Sequence, residues 1–221
     1  MLLNMMQSLF RLRSAARKSG AVKLCALIML LFTLPVFAKN TILILGDSLS
    51  AAYGMDVSQG WVELLKGRLN DKGYSYQVVN LSVSGATTSN ALAALPEALK
   101  TYTPSVTVIE IGGNDGLRGI QLLALQANLQ RIISLILAAN SKVLLLGVRL
   151  PPNFGSAYNK QFENVYIELA KKNEISVVPY FLQHIDDKPD LMSADGIHPK
   201  ASAQTIMLDN VWPDLQKLLE Y

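Results

Sequence analysis

From residue 41 onward, short unbroken apolar runs alternate with longer stretches whose apolar positions recur every three to four residues. This is the signature of buried parallel strands joined by helices. TILIL (41–45) predicts a first strand, ended by Gly46. Trp61, Leu64, Leu65 and Leu69 stand at helical spacing, and YQVVNLSV (76–83) predicts a second strand, closed off by Gly85. The Ala- and Leu-rich stretch 89–100 predicts a helix with a kink or break near Pro96, because proline lacks the amide proton and crowds the preceding turn. VTVIEI (106–111) predicts a third strand, stopped by Gly112 and Gly113, and 121–139 a long helix. KVLLLGV (142–148) predicts a fourth strand. Pro151 and Pro152 open a loop before a helix around 158–172, and SVVPYF (176–181) predicts the fifth strand. A last helix over 201–219 is expected to be interrupted at Pro213. The order predicts an α/β domain with a parallel sheet, its functional groups gathered beyond the carboxyl ends of the strands.

The first 38 residues break this pattern. They carry Arg11, Arg13, Arg17, Lys18 and Lys23, no acid, and then the apolar stretch LCALIMLLFTLPVF before Ala38. A charged front, a short apolar middle and a small residue at the cut predict a cleaved secretory signal over 1–38, with one domain over 39–221. The apolar middle falls short of the roughly 20 residues a spanning helix needs, so no stable membrane span is expected after cleavage. The expected location is periplasmic or secreted. Without this segment 15 basic residues face 17 acidic ones, and the formal net charge moves from +3 to −2. The remainder has no clustered Lys and Arg of the kind that binds nucleic acid, and Lys171 and Lys172 read as a solvated helix face. The single cysteine, Cys25, lies inside the apolar stretch, which removes disulfides and thiol catalysis from the mature chain.

Four segments after the strand ends carry candidate chemistry. In GDSLS (46–50) a buried strand leads through glycine to Ser48, expected at the head of a following helix, where free amides and a positive dipole end favour an oxyanion; taken alone, the same serine reads as an N-cap. Ser50 stands where an α/β-hydrolase nucleophile elbow needs glycine, so that fold is disfavoured. Phosphate-loop and dinucleotide glycine patterns are absent. In ADGIHP (194–199), Asp195 and His198 stand three apart. Imidazole suits the task of taking a serine proton, and an adjacent aspartate fixes its tautomer; alone, the pair also reads as a turn. His184 has no comparable acidic pattern and reads as a surface or structural residue. Gly85 offers a bare backbone amide and Asn114, in GGND (112–115), a side-chain amide for an oxyanion beside the Ser48 amide.

Taken together in this order, GDSLS, NLSVSG, GGND and DGIHP resemble the four blocks of the SGNH, or GDSL-type, hydrolase family. The resemblance spans nearly all of 39–221. IGGNDGLRG (111–119) and VRLPPNFG (148–155) look like its bacterial periplasmic branch of acyl-CoA thioesterases, lysophospholipases and arylesterases. It implies a flavodoxin-like three-layer α/β/α sandwich with a five-stranded parallel sheet. It also implies Ser48 as nucleophile, Asp195 and His198 as the remaining catalytic pair, and Ser48, Gly85 and Asn114 as oxyanion donors. Ala86 departs from the branch, where an acid often follows the second-block glycine. The implied reaction is hydrolysis of a small acyl ester or thioester, lysophospholipid among the candidates, through an acyl-enzyme, with no metal or organic cofactor. Leu117, Ile120, Phe154 and Tyr158 are candidates for an acyl groove. Two other readings stay open: an acetylesterase acting on sugars or cell-wall glycan, and a non-catalytic flavodoxin-like binding module.

Overall fold

The computed structural model describes residues 40–220. The expected signal segment lies outside the described residues. Five parallel strands form one sheet: β1 (Asn40–Gly46), β2 (Tyr76–Asn80), β3 (Val106–Glu110), β4 (Lys142–Leu146) and β5 (Ser176–Val178), in the order β2-β1-β3-β4-β5. Ile42 pairs with Val78 on one side of β1 and with Val106 on the other. The helices are α1 (Trp61–Asp71), α2 (Thr88–Tyr102), a short α3 (Gly113–Leu117), α4 (Leu122–Ala138), α5 (Ser156–Asn173) and α6 (Gln204–Gln216).

Strand alternation assigns the two cores. Ile42, Ile44, Val106, Val108, Leu144 and Leu146 point to one face, where they meet Trp61, Leu65 and Leu69 of α1 and Met207, Val211 and Leu215 of α6. Leu45, Ile109, Val143 and Leu145 point to the other, packed on Leu95 of α2, Leu125, Leu129 and Ile132 of α4, and Phe162 and Tyr166 of α5. Two apolar faces on β1, β3 and β4 leave almost no polar alternation, which is why these inner strands read as near-unbroken apolar runs, whereas the edge strand β2 exposes Gln77 and Asn80. The expected three-layer α/β/α fold is the one observed.

Element boundaries differ from expectation in places with local causes. The helix over α2 runs unbroken through Pro96, and α6 runs through Pro213. Both prolines are exposed, so a carbonyl freed by the missing amide can turn to water. The last helix instead begins later, after a 3₁₀ turn at Ala201–Ala203. β5 stops at Val178 because Pro179 has no amide to pair. Beyond it Gly147 takes over, its N–H donating to Val178 O at 2.8 Å and its O accepting from Phe181 N at 2.9 Å. Glycine is required there: a Cβ on Gly147 would stand 2.1 Å from the Pro179 carbonyl oxygen. Gly147→Ala is expected to cost about 1–3 kcal/mol by overpacking and to lower Tm by roughly 3–10 °C for a chain of this size. Thermal unfolding of the variant beside wild type checks this, and an unchanged Tm would refute it.

Candidate active site

The sheet order reverses at β1: the chain goes from β1 out to β2 on one side and returns to β3 on the other. The carboxyl ends of β1 and β3 therefore open a crevice in which loops leave in opposite directions. Ser48 follows β1 into it and Asn114 follows β3. No helix begins at Ser48, contrary to the sequence expectation. The chain makes a tight turn over residues 48–54, closed by Ala51 N–H to Asp47 O (3.0 Å) and Tyr53 N–H to Ser48 O (3.3 Å). The next regular helix waits until Trp61 because Ala52 takes φ +56°, a left-handed residue that ends helical propagation.

His198 comes from the last loop, 150 residues away, and its Nε2 lies 2.9 Å from Ser48 Oγ. Its Nδ1 lies 2.7 Å from Asp195 Oδ2. The other Asp195 oxygen accepts the amides of Ile197 (2.9 Å) and His198 (3.0 Å). The loop is pinned at its base by Ser193 N–H to His198 O and Lys200 N–H to Leu191 O. Desolvation works against an ionised Asp195, but the His198 ring and the two amides outweigh it and bring the carboxyl down to about 2. It is therefore a carboxylate at neutral pH. With Nδ1–H donated to it, Nε2 carries the lone pair that faces the serine hydroxyl. Tyr53, half exposed, lays its ring 4.4 Å from the imidazole.

Asn114 stands on the short α3 with its Nδ2 donating to Asp47 Oδ2 at 3.1 Å, while Asp47 Oδ1 accepts the Leu49 amide at 3.1 Å. One hydrogen of the Asn114 amide is thereby used and the other remains to donate. Burial pushes the Asp47 carboxyl up to about 6, against those two bonds. Gly85 lies in the loop after β2 at φ +79°, a conformation that costs a side-chain-bearing residue but not glycine. Its carbonyl accepts from Arg118 Nη2 at 2.9 Å, and the buried Asp115 takes the amide and hydroxyl of Thr88. The loops after β2 and β3 are thus laced together.

A cavity of about 360 Å³ opens from Ser48, Asn114 and His198, with an apolar lining that includes Leu117, Val148, Leu150, Phe181 and Ile197. Of the four groove candidates, Leu117 lines it. Ile120, Phe154 and Tyr158 lie outside its lining, Phe154 and Tyr158 packing instead on the core under α4 and α5. Gly85 faces a separate hollow shared with Gly46 and Ala86. His184 is exposed on the turn before the last loop. Among the described residues no cluster of three His, Cys, Asp or Glu side chains is placed to hold a metal, and no helix is long and apolar enough to cross a membrane.

Residues 44–206, from the end of β1 into α6, match the model of the GDSL-like Lipase/Acylhydrolase family. The chain belongs to this family. It is 50% identical over 182 residues to the esterase TesA of Pseudomonas aeruginosa, covering 82% of this chain and 90% of that one. It is 42% identical over 196 residues to thioesterase 1/protease 1/lysophospholipase L1 of Escherichia coli K12, covering 88% and 92%. The solved structure of the psychrotrophic esterase EstA from Pseudoalteromonas sp., inhibited by monoethylphosphonate, aligns with a TM-score of 0.77 at 37% identity, covering 80% of this chain and 97% of that one.

Among the side chains at this GDSL-family site that escaped the sequence reading are Asp47, which tethers Asn114; Tyr53, which covers His198; and Arg149, which lines the cavity over the Tyr180 ring and pairs with Glu163. Asp47 was in plain sight inside GDSLS, but a carboxylate beside a serine carries no spacing signal of its own. Its raised pKa makes a prediction. Because the folded value of about 6 lies above the reference 3.8, protonated Asp47 stabilises the fold fully below the lower value, and this contribution is lost as pH rises through the higher one. Apart from a constant offset, Asp47→Asn should therefore gain Tm relative to wild type as pH is raised from about 4 to 7. Parallel Tm–pH curves for the two proteins would refute this.

Proposed function

We propose that this chain is a serine hydrolase that cleaves carboxylic esters and thioesters through an acyl-enzyme on Ser48. The observation that carries the reading is the unbroken line of contacts from Asp195 to His198 to Ser48, at 2.7 and 2.9 Å. In this reading His198 Nε2 takes the Ser48 proton as the oxygen attacks the acyl carbonyl, and Asp195 stabilises the imidazolium that forms. The amides of Ser48 and Gly85 and the free hydrogen of Asn114 Nδ2 receive the oxyanion. His198 then protonates the departing alcohol or thiol, and water repeats the sequence to release the acid. The names of the relatives in P. aeruginosa and E. coli support esters and thioesters as substrates. EstA, a relative inhibited by a phosphonate, supports a nucleophilic serine, since phosphonates capture such an oxygen covalently. The apolar lining of the cavity favours an acyl chain longer than acetyl, which sets this reading above a glycan acetylesterase. The basic, then apolar, segment 1–38 supports export ahead of activity.

The deciding experiment is hydrolysis of p-nitrophenyl esters from acetyl to palmitoyl by the purified domain, wild type beside Ser48→Ala. Turnover should rise beyond acetate and fall roughly 10⁶-fold in the variant, the scale for loss of an activated nucleophile. A variant with normal turnover would sink the assignment, and activity confined to acetate would favour the glycan esterase. Asn114→Ala should lower kcat about 10²- to 10³-fold with little change in KM, since its bond is strongest in the transition state. A rise in KM alone would move Asn114 into ground-state binding.

A further inference from the structure

At the end of β3 the carboxyl of Glu110 is fully enclosed. Its Oε2 accepts the Asp47 amide at 3.3 Å and the Ser50 hydroxyl at 2.8 Å, so one oxygen grips the chain on both sides of Ser48. Ser50 is held further by the Trp61 indole N–H at 3.2 Å and by Asn80 Nδ2, which donates to its carbonyl at 2.8 Å. The other oxygen, Glu110 Oε1, is buried without a hydrogen-bond partner among the described residues, and so is Ser82 Oγ. Both side chains crowd the same point: a Cβ on Gly46 would stand 2.7 Å from Ser82 Oγ and 3.0 Å from Glu110 Oε2.

A buried carboxylate with one bare oxygen is strongly disfavoured, whereas the neutral acid has a proton to give and Ser82 has lone pairs to receive it. The ionisable groups that interact with Glu110 are Asp47 on the turn after β1 and Tyr166 on α5, and neither is a cation. We propose that Glu110 acts as a neutral acid and a positioning residue: Oε2 accepts from the Ser48 turn while the Oε1 hydroxyl donates through one bridging water to Ser82 Oγ. One side chain on β3 then holds the turn after β1 and the loop that leads from β2 to Gly85 in mutual register. This rests on the reading that Ser48 and Gly85 serve one oxyanion. Burial first, and the Asp47 charge second, push the Glu110 carboxyl well above the ordinary carboxylate range, in keeping with the neutral form.

The test compares Glu110→Gln, which keeps the shape, an acceptor oxygen and an N–H donor but has no proton to lose, with Glu110→Ala. With a p-nitrophenyl ester, the Gln variant should keep kcat within about threefold, and the Ala variant should lose roughly 100-fold in kcat with little change in KM. Tm of wild type should fall relative to the Gln variant as pH is raised beyond the ordinary carboxylate range, because a group whose folded pKa is raised loses its stabilisation as pH climbs through that value. Tyr166 is common to both proteins and cancels in the comparison. A Gln variant as damaged as Ala would mean that a charge is required and overturn the proposal. So would an Ala variant with normal kcat, which would make Glu110 mere packing, or Tm–pH curves that run parallel. The Tm curves need no turnover, so they decide the proton on Glu110 even if Ser48→Ala retains activity and the hydrolase reading fails.

Discussion

The site exists because β1 is enclosed on every side. Strands flank it, helices cover both its faces, and from Thr41 to Gly46 every residue is buried. A chain leaving such a strand cannot spread sideways, since β2 and β3 occupy the flanks, and must turn sharply over the sheet edge. That turn needs anchors for its backbone groups, because a buried donor without a partner is costly. Asp47 and Glu110 supply them, at the expense of two acids in a poorly solvated place. Gly46 makes the arrangement possible by leaving out the one side-chain atom that would collide with Ser82 and Glu110.

At the opposite edge of the site the economy differs. Asp195 is partly exposed and readily ionised, and its two oxygens do separate work: one shapes the loop by accepting two amides, the other orients the imidazole. The turn reading and the catalytic reading of DGIHP are therefore the same set of bonds viewed from two sides. Three carboxyls within one site thus differ in protonation tendency: hydrogen bonds from His198 and two amides hold Asp195 low, whereas burial raises both Asp47 and Glu110.

The sheet and its order of elements were legible because strands buried on both faces must be apolar throughout. Their ends were less so. The run SVVPYF looks continuous, yet Pro179 has no amide to pair, and only the tertiary contact with Gly147 shows where the ladder stops. The prolines of α2 and α6 read as breaks, but their helices turn them outward, which periodicity does not weigh. The α3 turn hides in GGNDGL, since glycine carries no helical signal. Ser48, Asp195, His198 and Asn114 were legible because their chemistry is unusual for the loops that carry them. Glu110 was not: embedded in VTVIEI it passed as one more strand residue, although a lone acid in an otherwise apolar run is itself a mark of a buried polar job. The cavity lining depended on how Val148 to Pro152 folds back across α5, and the sequence offers no local record of that.

Ser48 and His198 stand at opposite ends of the folded domain's sequence yet within one hydrogen bond of each other. The chain up to β5 carries Ser48, Asn114 and the lining residues Leu117, Val148 and Leu150, whereas Phe181, Ile197 and His198 follow it. The residues that complete the site arrive together with Met207, Val211 and Leu215, which close the core on the α1 face. In the proposed reading the Ser48 hydroxyl gains its base only as the segment that carries His198 folds against the sheet, so that closing the core on the α1 face and completing the site are one event.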